Sequence, residues 1–125
     1  MTEKSMTEKQ KSCELVQYVF LRKDLPYNTG EQAAQACHAV LACAYVHRDE
    51  KEMQDYLANT KEMKKVILGV SGESEMRELS EMLGMNKIKF YLWVEKPEDK
   101  EVALAVVPMR RRDISPLVRG YRLLI

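Results

Sequence analysis

Within the segment TGEQAAQACHAV, residues 29–40, Gln35 and His38 stand three positions apart. On a helix that spacing puts both side chains on one face. An imidazole takes or gives a proton near neutral pH, and an amide beside it offers both a donor and an acceptor for fixing a water or a substrate. Polar side chains satisfied at a helix surface explain the same pair, and both explanations stand at this point. Cys37 and His38 are adjacent, so on a helix they diverge by about 100° and do not form a nucleophile–base pair. Upstream, Arg22, Lys23 and Asp24 lead into a loop marked by Pro26, Asn28 and Gly30.

These side chains have to be positioned by the elements around them. LVQYVFL at 15–21 is dense in β-branched and aromatic residues and reads as a buried strand. Thr29 with Gln32 three positions on forms a capping-box pattern, which predicts a helix from Thr29 to about His47. Ala33, Ala36 or Cys37, Val40, Leu41 and Ala44 recur at helical spacing and form the expected packing stripe. Their small size lets the helix approach a sheet closely, and Gln35 and His38 lie off that stripe.

Residues 49–63 predict a charged amphipathic helix packed through Met53, Tyr56, Leu57 and Met63. KVILGV at 65–70 is a second strand. From Ser74 a helix follows on Met76, Leu79, Met82 and Leu83, with Gly84 as its C-cap. KFYLWV at 89–94 and VALAVVP at 102–108 are further strands, joined by EKPEDKE as a hairpin connection. Asp113 or Ser115 starts a short last helix through Val118, and YRLLI finishes as an edge extension. The order of elements predicts an α/β fold of three layers, a mixed four-stranded sheet with helices on both faces.

The chain has 125 residues, one domain by length, with 46% apolar and 31% charged residues, ordinary for a globular protein. MTEK occurs at 1–4 and again at 6–9, so residues 1–14 are expected to be a disordered tail and 15–125 the domain. Apolar runs such as ALAVV are far too short for a membrane span, and no leader is readable, so a cytoplasmic protein without membrane contact is expected. Three cysteines without a C-x-x-C pair speak against a disulfide framework or structural zinc, and two histidines against a His-rich metal site. No metal or cofactor is expected. The fingerprints GxGxxG, HExxH, GxSxG and the Walker loop are absent. Net charge is +1, yet Arg110, Arg111, Arg112, Arg119 and Arg122 cluster against Asp113 alone. Clustered arginine suits phosphate, although a solvated edge explains the run equally well.

LVQYVFLRKDLPYNTGEQAAQACHAV resembles the opening of the type-2 (archaeal and eukaryotic) peptidyl-tRNA hydrolases, which begin with a strand, R-x-D-L, a short loop and G-K-x-A-A-Q-x-x-H-A on the first helix. Arg22, Asp24, Leu25, Gly30, Ala33, Ala34, Gln35, His38 and Ala39 match that pattern. The resemblance extends over roughly 15–125, and implies the same sheet-between-helices fold. There are departures. Glu31 stands at the family's helix-start lysine. FYLWVE at 90–95 replaces the family's Asp-Ala-Gly-x-Thr-Gln segment, with Phe90 at the acid and Val94 at the threonine, while Val102 replaces a further threonine. That pattern is similar to the divergent branch called peptidyl-tRNA hydrolase domain-containing proteins.

The resemblance implies hydrolysis of the ester between a peptide and the 3′ ribose of tRNA. Among the polar groups this chain retains, His38 is the candidate general base, Asp24 the group to orient a water, and Gln35 stands beside them. Arg22, Lys23, Thr29, Glu31, Arg110, Arg111 and Arg112 are the candidate substrate contacts. Glu31 in the first turn competes with an anion for the helix N-terminus. A catalytically inactive RNA- or protein-binding module on the same fold is the alternative, and exposed methionine-rich helices, in a chain with eight methionines in all, would suit a homodimer.

Overall fold

The computed structural model describes residues 7–124. In chain order these form α1 (Glu8–Cys13), β1 (Leu15–Arg22), α2 (Thr29–Val46), α3 (Lys51–Ala58), β2 (Lys65–Val70), α4 (Glu73–Met85), β3 (Phe90–Glu95), β4 (Lys100–Val106), β5 (Met109–Arg110), α5 (Arg111–Ile114), a 3₁₀ turn (Ser115–Val118) and β6 (Arg122–Leu123). The sheet runs β3-β4-β1-β2-β6, with β5 also paired to β1. It has six strands rather than four. The four expected ones all form; the two additional strands span only two residues each. One of them, β6, is the edge extension expected of the C-terminus, antiparallel to β2.

β1 explains the architecture. It lies parallel to β2 and antiparallel to β4, and it is buried from Val16 to Arg22, with the apolar run Tyr18–Leu21 at its centre as a doubly covered strand requires. Alternation sends Val16, Tyr18 and Phe20 to the side of α4, where Met76, Leu79 and Leu83 complete one core. Val19 and Leu21 point to the other side, against Ala39 and Cys43 of α2 and Met53 of α3. On that side β4 offers Ala103 and Ala105. Alanines on both surfaces let α2 lie close to the sheet. Gln17 is buried there too, and its Nε2 donates to the Val106 carbonyl at 3.0 Å, where β4 leaves β1.

Several boundaries depart from the sequence reading. Residues 8–13, assigned above to the tail, form α1; residues 1–6 lie outside the described residues. α3 is shorter than 49–63, ending at Ala58, before Asn59 and Thr60, which are weak helix formers. Met53 and Tyr56 are buried as expected, whereas Leu57 is exposed. Gly84 lies inside α4, and the left-handed turn is made by Lys87 at φ 59°.

The largest departure concerns α2. Its cap is Asn28, whose Oδ1 accepts from the Glu31 N–H at 2.8 Å, while Glu31 Oε1 accepts from the Asn28 N–H at 2.9 Å. The capping box is therefore Asn28–Glu31 and not Thr29–Gln32, a device worth about 1 kcal/mol. Of the expected stripe, Ala36, Val40 and Ala44 are half-buried against the core, but the centre of the buried face lies to one side of it. Gln35, Ala39 and Cys43 are its buried residues, and Leu41, expected to pack, is 74% exposed.

Candidate active site

β1 and β3 both run antiparallel to β4, so they are parallel to one another, and their carboxyl ends open on the same side as the start of α2. Crevices at the carboxyl ends of parallel strands are where α/β sheets receive ligands. Trp93 and Glu95 stand two apart on β3, which places both on the face covered by α2. Gln35, only 6% exposed, meets both. The Trp93 indole Nε1 donates to Gln35 Oε1 at 2.8 Å, and Gln35 Nε2 donates to Glu95 Oε2 at 3.1 Å. An indole nitrogen can only donate, so it fixes the amide orientation and commits the Gln35 N–H to the carboxylate. His38, one turn further on and exposed, stacks on the Trp93 ring with centroids 4.6 Å apart and planes 20° apart. The two helix residues thus hold one tryptophan between them.

Around this chain the loop supplies further charge. Arg22 grips Asp24 with both oxygens, Nε to Oδ1 at 3.0 Å and Nη2 to Oδ2 at 2.7 Å, and its Nη1 reaches the Glu101 carbonyl at 3.4 Å. The hydrogen bonds from Arg22 hold the Asp24 carboxyl below its ordinary value. Asp24, expected to orient a water, has both oxygens engaged by Arg22, and it serves as the anchor of that arginine. Burial and then the Glu95, Glu98 and Glu31 carboxylates raise the Tyr27 phenol above its ordinary value, so it stays protonated at neutral pH. Lys23 lays its stem over Gly69, where a Cβ would come within 2.6 Å of Lys23 Cδ. Thr29 is an exposed first-turn residue, and Glu31 is committed to the cap.

Arg110, Arg111 and Arg112 are elsewhere, beside the amino end of β1. Arg110 Nη1 donates to the Cys13 carbonyl at 2.8 Å, Arg111 binds Glu14 at 3.0 Å, and Arg112 Nη1 lies 2.8 Å from Cys13 Sγ. β1 has eight residues, so the two ends of the sheet are about 23 Å apart at 3.3 Å per residue. These arginines, expected to contact substrate, stand at the opposite end of the sheet from the other candidates. A surface cleft at this end, lined by Lys87, Lys89, Arg110, Glu50 and Asp113, sets opposite charges against one another; Lys89 and Glu50 pair at 2.6 Å. His47 is the C-cap of α2 and donates from Nε2 to the Phe90 carbonyl at 3.1 Å. Among the described residues no three His, Cys, Asp or Glu side chains are grouped to hold a metal, and no helix is long and apolar enough to cross a membrane.

Trp93 and Glu95 were not legible as site residues from the resemblance, because the family segment they replace carries different chemistry. The signal available was the alternation in FYLWVE, which puts both on one strand face. Phe90 and Leu92 point the other way, into the α4 core, and Val102 is buried.

The peptidyl-tRNA hydrolase PTH2 family model matches residues 15–124, and the chain belongs to that family. Among its relatives, a mouse protein named "Putative peptidyl-tRNA hydrolase PTRHD1" is 39% identical over 114 residues, covering 87% of this chain and 81% of that one. Its human counterpart of the same name is 37% identical over the same spans.

Proposed function

We propose that this protein hydrolyses the ester linking a peptide to tRNA in the cytoplasm, with Glu95 as the group that takes the proton from the attacking water. The observation that carries this reading is the ordered chain from Trp93 through Gln35 to Glu95 at the carboxyl ends of β1 and β3. Gln35 occupies one carboxylate oxygen and leaves Oε1 for a water. That water adds to the ester carbonyl carbon as Glu95 accepts its proton. Collapse of the tetrahedral adduct breaks the bond to the ribose oxygen, which recovers the proton from Glu95. The products are a peptide carboxylic acid and a free ribose hydroxyl. Gln35 is a positioning residue, His38 presents its exposed ring edge to the ribose, and Lys23 and Thr29 lie on the rim for a phosphate. Membership of the family and the names of the two mammalian relatives support the substrate class.

Deacylation of peptidyl-tRNA tests the proposal. Glu95→Gln is expected to lower turnover by about 10²–10⁴-fold while folding is retained, the range for loss of a general base. His38→Ala is expected to weaken substrate use with a smaller effect on turnover. Equal turnover by wild type and Glu95→Gln, with His38→Ala inactive, would transfer the proton-accepting role to His38. No turnover by wild type at high enzyme concentration, with tRNA binding retained, would leave an RNA-binding module on this fold.

A further inference from the structure

We propose that the outer edge of β3 binds the peptide part of the substrate as an added parallel strand, main chain to main chain. The inference rests on the reading of Glu95 as the proton acceptor beside the ester. β3 closes the sheet, with β4 on one side and, among the described residues, no strand on the other. Its main chain shows which groups face outward. The Val107 N–H donates to the Lys89 carbonyl at 3.0 Å, and Tyr91 and Trp93 follow opposite Ala105 and Ala103. Lys89, Tyr91 and Trp93 therefore turn their amides toward β4, and Phe90, Leu92 and Val94 turn theirs away. The Phe90 carbonyl agrees, since it accepts from His47 Nε2 at 3.1 Å, on the side away from β4. The register shift after Trp93 leaves Val102 as the extra residue of β4, so β3 itself alternates without a break. Sheet edges are ordinarily blunted by charge or proline. From Phe90 to Val94 this edge has neither, and among the described residues His47 covers only its first carbonyl.

Position and direction identify the occupant. Glu95 is the last residue of the same strand. A peptidyl ester has its reactive carbonyl at the carboxyl end of the peptide, with the RNA beyond it. A parallel strand brings that end to Glu95 and sends the RNA past the strand, at the end of the sheet where Lys23 and Thr29 stand. An antiparallel strand would put the amino end of the peptide there and the ester about 20 Å away, the length of six residues. In the parallel arrangement, with the last peptide residue beside Val94, the second-last lies between Leu92 and Val94. Its N–H donates to the Leu92 carbonyl, and its carbonyl accepts from the Val94 N–H. The Leu92 N–H then reaches the carbonyl of the fourth residue from the end. Strand addition reads main chain, which suits a substrate whose peptide sequence varies. A single aminoacyl residue makes none of these bonds, so the edge also separates peptidyl from aminoacyl esters.

Two measurements on the full chain test the site. The first is deacylation of tRNAs carrying a single residue or peptides of two, three and four. With three hydrogen bonds gained on the way, kcat/KM is expected to rise at least about tenfold from one residue to four. N-methylation of the second-last amide should lower kcat/KM about fivefold, the effect of about 1 kcal/mol for one hydrogen bond. N-methylation of the third-last amide, whose N–H points away from β3, should leave it within about twofold. A rate indifferent to length, or equal losses at both positions, overturns the proposal and leaves the hydrolase reading intact. The second measurement needs no turnover. It is hydrogen exchange with a tetrapeptide joined by an amide to 3′-amino-3′-deoxyadenosine, at millimolar concentration. Exchange of the Leu92 and Val94 amides is expected to slow at least about tenfold, with Trp93, already paired to β4, unchanged. Such protection in a chain without turnover upholds the peptide site and withdraws the hydrolase reading. Unprotected amides overturn the proposal. So does protection that grows with protein concentration in the absence of the probe, which would mark a second copy on the edge.

Discussion

The two ends of β1 both gather arginine, and they use it in opposite ways. At the amino end Arg110, Arg111 and Arg112 close on Cys13 and Glu14, so the strongest cationic run in the sequence fastens the chain to its own N-terminal segment. At the carboxyl end a single arginine, Arg22, is neutralised by Asp24. That leaves Glu95 with an amide rather than a cation as its partner. The run of charge at the amino end is thus consumed within the chain, whereas the proposed site rests on a carboxylate whose partner leaves one oxygen unused.

Replacing Gln35 with Leu should give the largest effect that separates the ends. It leaves the Trp93 indole N–H and one Glu95 oxygen without their partner, costing about 1–3 kcal/mol of stability, and turnover should fall at least about tenfold with loss of the oriented carboxylate. Arg110→Ala, made in parallel, should leave turnover within about twofold, since it touches nothing at the carboxyl end. Denaturant melts and the deacylation assay read both, and a greater loss of turnover in Arg110→Ala would reverse the comparison.

Arg111→Ala should cost less, about 1 kcal/mol for a half-buried ion pair that also ties two segments together. Hydrogen exchange should then show α1 opening more often, with β1 unchanged beyond its first residues. Unaltered protection of 8–14 would mean that α1 is held by something other than this pair.

The smallest expected effect is acidic and belongs to Asp24. Its folded value is depressed below the ordinary 3.8, chiefly by the Arg22 hydrogen bonds. Its contribution is thus fully present above that value and is lost as pH falls through the lower folded one. The carboxylate is 37% exposed, so solvent screens the gain. Thermal melts of wild type and Asp24→Asn should differ at neutral pH and converge as pH falls below about 4 toward 2. A constant gap over that range would remove Arg22 as the cause.

Most of the fold was legible because β1, β2, β3 and β4 are short apolar runs between turn residues, and burial on both faces demands such runs. The orientation of α2 was not. Its small residues repeat at several helical spacings, so periodicity chose the stripe through Leu41, whereas the buried face includes Gln35, whose partners Trp93 and Glu95 lie on a distant strand. The cap was misplaced by one residue because Asn28–Glu31 and Thr29–Gln32 fit the same pattern, and only the backbone of Asn28 decides between them. Gln35 and His38 were identified by their shared face. Their common partner Trp93 lies 58 residues from Gln35, a distance over which no local pattern speaks.

The Asn28–Glu31 box has a consequence for descent. A carboxylate in the first turn gains from the helix dipole as well as from the cap, about 0.3–1 kcal/mol for the dipole alone. A lysine at position 31, where the resemblance places one in the family, would give up both at once. Folding therefore favours glutamate at position 31 independently of the chemistry at the strand ends, and in the proposed mechanism that chemistry falls to another carboxylate, Glu95.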